Sequence, residues 1–353
     1  MTLKNILSIL SFLFIAVACS MEDDNLPSSD TKASAEAQEV LVNVNLAMNG
    51  ISTKVAASDD GDVAPAGNES VVSSAVVALV NAERNIMMIR DADGQINSDN
   101  TLKDVKFLTK VADGVKAIAI VNTKKANYYL NCKTLEDLNS VLETTANQEF
   151  LVKVGEKNDI FKGYNGGKTS TKDLNTLNIE IPVTQLAARI DLMGIKYKKD
   201  NESGEVNSVK IISAQLINVN NNSYVYNTND NAMSGLEATN TSSVASPKIL
   251  DISLEEDVWA GNNPDIEEVG ESLYTDYSYT NTTDSPVKMQ ITYSVNNEEA
   301  KTVDVTIDNG SVKAGNLYRL YIGMKVKNNE IKTEVVCYTK DWIKENINIE
   351  IKD

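Results

Sequence analysis

The sequence predicts a mainly β chain folded as two antiparallel β-sandwich domains, with one helix in the first. Three observations carry that reading. Val40, Val42, Val44, Leu46 and Met48 alternate with residues such as Asn43 and Asn45, the period of a strand with one buried face. From Val209 onward, short β-rich runs recur between turns rich in Asn, Asp and Gly, with almost no helical period. The chain of 353 residues also exceeds what one hydrophobic core usually organises, which is about 250–300 residues.

Residues 1–18, MTLKNILSILSFLFIAVA, read as an export signal: one Lys, an apolar run from Ile6 to Ala18, and small residues before a cut. As a helix that run would reach only about 20 Å, short of a hydrocarbon core of about 30 Å. Residues 19–38 are rich in Ser, Asp, Glu and Ala without apolar periodicity and read as a flexible tether. The first domain is expected over 39–185, opening with the strand Val40 to Met48. Gly50 to Ser70, with Asp59-Asp60-Gly61-Asp62, Pro65 and Gly67, is a long loop by turn chemistry. Val71 to Val80 and Ile86 to Ile89 form a hairpin around Asn81 to Asn85. Val115 to Val121, continuously apolar, is a strand buried on both faces. Between Thr134 and Gln148 the period turns helical, and Thr134 with Asp137 can form a capping box.

The second domain is expected over 186–353. Its strands are Val209 to Val219, Tyr224 to Tyr226, Tyr274 to Tyr279, Val287 to Val295, Lys301 to Ile307, Leu317 to Val326 and Lys332 to Tyr338, a spacing that fits an antiparallel sandwich. Asn218 to Asn222 and Asn227 to Asn231 are turns.

Composition excludes several functions. With 50 acidic against 33 basic residues the net charge is -17, so phosphate backbones and anionic headgroups are repelled. The absence of His removes the commonest general base and most zinc sites. Cys132 and Cys337 lie far apart without a CxxC partner and read as small core residues. No cofactor, metal site or catalytic group is indicated. Gly163 to Thr169 fails the spacing of a phosphate loop, and Asp91-Ala92-Asp93-Gly94 reads as a hairpin turn, not an EF-hand loop. Asp265, Glu267 and Glu268, near Trp259, are too close in sequence for a glycosidase pair and form a solvated loop. Trp342, Tyr274, Tyr277 and Tyr279 serve core and sheet surface.

Several segments resemble a known family, in its order. Ala16-Val17-Ala18-Cys19 looks like a lipobox, and Met21-Glu22-Asp23-Asp24 follows as an acidic tag. Ala117 to Asn122, Gln185 to Leu192, Lys313 to Leu320 and Lys340-Asp341-Trp342 complete the likeness. Together they resemble the fimbrillins, subunits of the type V pili of Bacteroidales. The resemblance implies two transthyretin-like or immunoglobulin-like sandwiches joined near Gln185, a covalent lipid on Cys19 as the sole link to the outer membrane, and surface exposure. It further implies assembly with homologous subunits after a trypsin-like protease removes the N-terminal strand, the donor being the C-terminal strand of another subunit.

A donor must copy the pattern it replaces. The candidate over 343–352 places Ile343, Ile347, Ile349 and Ile351 in the same alternation as Val40 to Met48. The best-known members are cut after Arg, whereas only Lys32 and Lys54 are basic between Cys19 and Arg84; Lys54, at the start of the long loop, is the candidate processing site. Two other readings stay open: an uncleaved anchor subunit of the pilus, and a surface lipoprotein that binds glycan or host protein without polymerising.

Overall fold

The computed structural model describes residues 38–48, 69, 71–92, 105–144, 146, 149–164, 175–199, 206–225, 236–237, 242–265, 270–281, 285–307, 311–327 and 330–341. All belong to one compact unit spanning 37–353. The fold is mainly β, as the patterning predicts.

The first half runs through β1 (Glu39–Met48), β2 (Ala75–Val80), β3 (Ile86–Asp91), β4 (Val105–Lys110) and β5 (Lys116–Val121). It continues through α1 (Ala126–Tyr129), α2 (Leu135–Asn139), β6 (Leu142–Thr144), β7 (Lys153–Lys157) and β8 (Asn175–Gln185). Seven of these strands form one sheet in the order β3-β2-β5-β7-β8-β1-β4. Its inner face encloses a core to which β1 gives Val40, Val42 and Val44, β4 gives Phe107, and β2 and β5 give Val77, Leu79, Ala117 and Ala119. The outer faces of β2 and β5 pack Val76, Ala78, Ile118 and Ile120 against Tyr129, Leu135 and Leu138 of the helices. Burial on both sides explains why β5 reads as an unbroken apolar run.

Two expectations change. The helix expected from Thr134 to Gln148 stops at Asn139: Thr134 and Asp137 do form the capping box, but Leu142–Thr144 pairs as a strand with residues 222–224. The β-branched Val141, Thr144 and Thr145 disfavour continuing the helix, and the strand partner comes from far along the chain. Strands β3 and β4 do not pair as a hairpin, because they stand at opposite edges of the sheet; of the expected turn Asp91 to Gly94, Asp93 and Gly94 lie outside the described residues.

The second half contains β9 (Ala188–Lys199), β10 (Val209–Asn220), β11 (Asn222–Tyr224), β12 (Leu236–Glu237), β13 (Ser242–Val244) and β14 (Lys248–Leu254). There follow β15 (Ala260–Gly261), β16 (Tyr274–Ser278), β17 (Lys288–Val295), β18 (Lys301–Thr306), β19 (Asn316–Lys327) and β20 (Glu330–Asp341). One sheet is ordered β13-β10-β17-β18 with β14 also on β10, the other β15-β9-β19-β20 with β16 also on β9. Between them lies a core that includes Ile190, Leu192, Ile211, Leu216, Ile291, Leu320 and Ile322. A small sheet, β12-β11-β6, links the halves through main-chain pairing.

Parallel pairs interrupt the antiparallel pattern at β1 with β8 and at β19 with β9. Only Leu186 and Ala187 separate β8 from β9, and the backbone bends at both. The N–H of Leu186 donates to Val152 O at 2.9 Å beside β7, while Ala187 O accepts from Gly315 N–H at 3.1 Å just ahead of β19. Strand β1 lies parallel to β8 on the edge away from β7, and β19 lies parallel to β9 on the edge away from β15 and β16.

Candidate strand-exchange groove

Strand β1 fills a slot between β8 and β4. Its residues Val40 to Met48 pair with Asn175 to Val183, and Glu39 to Val44 pair with Lys110 to Val105. Val40, Val42 and Val44 are each 0% exposed, which corresponds to about 5–9 kcal/mol of burial for three Val side chains. Leu46 is partly buried against the same core. On the outward face the Asn43 amide donates to Asn178 Oδ1 at 3.1 Å, and Asn45 is exposed. The alternation read from the sequence thus sorts inner from outer residues.

The neighbours of β1 depend on it. Among the described residues β4 pairs with no other strand, and β8 is joined to β7 over three residue pairs only, Lys153–Gln185 to Gly155–Val183. The next residue of β8 is Pro182, which has no N–H to offer β7. At the same place Gly155 passes so close that a Cβ there would lie 1.9 Å from Pro182 O. The β7–β8 seam is therefore short for a local chemical reason, and β1 supplies most of the pairing of β8.

From Glu69 the chain is pinned by side chains of β7, β8, β9 and β16 and of Asn122 after β5. Arg189 Nη1 lies 3.1 Å from Glu69 Oε2, and the Gln185 amide donates to Glu69 O at 2.8 Å. Lys153 Nζ donates to Val71 O at 3.0 Å, and Asn122 accepts the Ser73 N–H at 2.8 Å. The Tyr277 hydroxyl also donates to Glu69, and Arg189 reaches Asp191 at 2.9 Å. Glu69, Arg189 and Asp191 are all buried. Burial opposes the charge of Arg189, and the carboxylates of Asp191 and Glu69 outweigh it, holding the guanidinium above its ordinary value. Burial, then Glu69, pushes the Tyr277 hydroxyl up. None of these charged partners is announced by sequence pattern; buried charges reveal themselves only when distant residues meet.

Of the residues singled out in the sequence, Val40, Val42, Val44, Leu46 and Met48 fall together on β1. Cys19, Lys54, Ile343, Ile347, Ile349, Ile351 and Trp342 lie outside the described residues. Cys132 is a buried free thiol. Tyr274 and Tyr279 are buried and Tyr277 is half-buried. Trp259 packs edge-on to Tyr321 with the Lys196 ammonium 4.9 Å over its ring, so one face is already covered. Glu267 and Glu268 lie outside the described residues.

No family model and no curated protein matches the sequence. Solved structures do match the fold. A candidate cell adhesion protein from Parabacteroides distasonis ATCC 8503 superimposes with a TM-score of 0.62 at 14% identity, covering 87% of this chain and 97% of its own. A second, from Bacteroides eggerthii DSM 20697, gives 0.53 at 13% identity over 87% and 97%. A fimbrilin from Porphyromonas gingivalis W83 gives 0.52 at 14% identity over 86% of this chain and 98% of its own. The chain has a fimbrillin-like fold. In this fimbrillin-like fold the first strand pairs, among the described residues, with β8 and β4, and Glu69 is held by Arg189, Gln185 and Tyr277.

Proposed function

We propose that the chain is a structural subunit of a cell-surface pilus that supports adhesion, exported as a lipoprotein on Cys19 and polymerised by donor-strand exchange. The observation that carries this reading is the placement of β1: an N-terminal strand between β8 and β4, with three fully buried Val side chains. On this reading a trypsin-like protease cuts after β1 at Lys54. Removing β1 strips β4 of its pairing among the described residues and opens the core along β8. An incoming strand that restores both ladder and core is strongly favoured. The segment 343–352 of another subunit, through Ile343, Ile347, Ile349 and Ile351, has the alternation the slot requires. The pinned Glu69, Val71, Ser73 and Ser74 support the same reading, since a cut upstream of them leaves β1 free to be displaced by an incoming strand while the rest stays attached. The fimbrillin-like fold supports a pilus role over an enzymatic one.

The test is assembly of the chain beginning at Val55. Laddered, boil-resistant oligomers are expected, and Ile349→Asp is expected to abolish them while leaving the subunit's own unfolding midpoint unchanged. Oligomers undiminished by Ile349→Asp would refute strand exchange through the tail. A chain that never ladders, and keeps Cys19 lipidated without an internal cut on cells, would be an anchor or a binding module instead.

A further inference from the structure

Under the pinned residues 71–74 lies a second arrangement, which strand exchange does not use. Lys153 of β7 is 1% exposed, and Asn122, directly after β5, is 5% exposed. They are close because Val121 is the register partner of Lys153. Asn122 adopts φ 59°, a left-handed conformation that Asn tolerates, and its side chain turns back over the strand ends.

The two side chains meet the same acceptors. Lys153 Nζ donates to Val71 O at 3.0 Å and to Leu151 O at 3.3 Å. Asn122 Nδ2 donates to Val71 O at 2.7 Å and to Leu151 O at 3.1 Å. Two nitrogens bonded to one oxygen cannot stand further apart than the sum of the two bonds, and a second shared acceptor narrows the range further. The other end of the carboxamide is also held. Asn122 Oδ1 accepts the Ser73 N–H at 2.8 Å, the Ser73 hydroxyl at 3.2 Å and the Ser74 N–H at 3.4 Å. Three donors on one carbonyl oxygen polarise the carbon and stabilise negative charge on that oxygen should the carbon become tetrahedral. Burial depresses the Lys153 ammonium to about 7, against the upward pull of Glu69, so a large share of the amine carries a free lone pair at neutral pH. The enclosure keeps out the water that would compete for the same carbon.

We propose that Lys153 and Asn122 join in an intramolecular amide cross-link. Nζ attacks Cγ of Asn122, and the oxyanion is held by Ser73 and Ser74. A proton passes from Nζ to Nδ2, the Cγ–Nδ2 bond breaks and ammonia leaves. No oxidant, reductant or further reactant enters. The product ties β5 to β7 covalently in the half of the molecule whose sheet is opened when β1 departs. The cross-link lies within one subunit, so it is read on chains that never assemble, and its failure would leave the pilus reading untouched.

The test is tandem mass spectrometry of a tryptic digest of the full chain purified from producing cells. The expected species is a branched peptide in which 117–124 is joined to 134–157, uncleaved after Lys153 and lighter by one ammonia than the two linear peptides together. Fragmentation should place the branch on Asn122 and Lys153, and Lys153→Arg should eliminate the species. Linear peptides with cleavage after Lys153, or an ammonia lost from 117–124 alone, would overturn the proposal. The wild-type digest decides by itself, so a variant that fails to fold does not blunt the result.

Discussion

Individual buried charges in this fold depend on the charges they face, which makes them sensitive. Arg189 faces Glu69 and Asp191; Arg189→Met removes the buried guanidinium that the two carboxylates share, and a loss of about 3–5 kcal/mol is expected. It should read as a lower urea midpoint at unchanged slope, partly recovered when Glu69→Gln is added. Glu143 behaves differently. It accepts from Thr123 Oγ1 at 2.6 Å and from the Tyr129 hydroxyl at 2.9 Å, yet burial pushes its carboxyl above the ordinary range, with both hydrogen bonds pulling the other way. A carboxyl that binds its proton more tightly folded than unfolded favours the fold below its unfolded pKa, and that contribution is lost as pH rises through the folded value. Glu143→Gln retains an acceptor oxygen and should therefore raise the urea midpoint at neutral pH, with the advantage shrinking as pH falls through the carboxylate range. Midpoints that coincide at every pH would contradict a raised Glu143.

At the level of strands, Gly155 and Pro182 decide how much of β8 is left for β1. A methyl group on Gly155 meets Pro182 O at 1.9 Å, so Gly155→Ala should cost at least the roughly 1–3 kcal/mol typical of overpacking, measured by urea denaturation. Sequence pattern made some elements legible and hid others. Strand β1 is visible because one of its faces is dry and the other wet. The run 116–121 is visible because both faces are dry. Strand β4 alternates buried and exposed residues strictly, but Leu108 faces out and Thr109 in, so its hydropathy hides the period; β7 contains Lys153 and Gly155, which hide it likewise. The helix expected after Thr134 is cut short by Leu142–Thr144 pairing with Asn222–Tyr224, a partner no local window contains. Parallel pairing of β1 with β8 is equally invisible, since the alternation of a strand does not encode the direction of its neighbour. Of the groove itself, the inward Val residues were legible, whereas the anchor through Glu69, Arg189, Gln185 and Lys153 depends on residues that meet only in the folded chain.

For the molecule as a whole, the groove and its anchor predict an order of events. A chain nicked at Lys54 should keep its N-terminal segment through gel filtration, because β1 is held by two ladders and a buried face rather than by the loop. Adding a peptide of residues 343–353 should release that segment, and a peptide with Ile349→Asp should not; spontaneous loss of the segment after nicking would contradict the strength assigned to its contacts. The parallel pairs β1–β8 and β19–β9 also have a mechanical consequence. Tension applied lengthwise to either pair acts along the strands, so the hydrogen bonds of the ladder share the load and must yield together in shear. A pull across the strands would instead peel them one at a time. Strands paired this way should resist a lengthwise pull far better than a crosswise one.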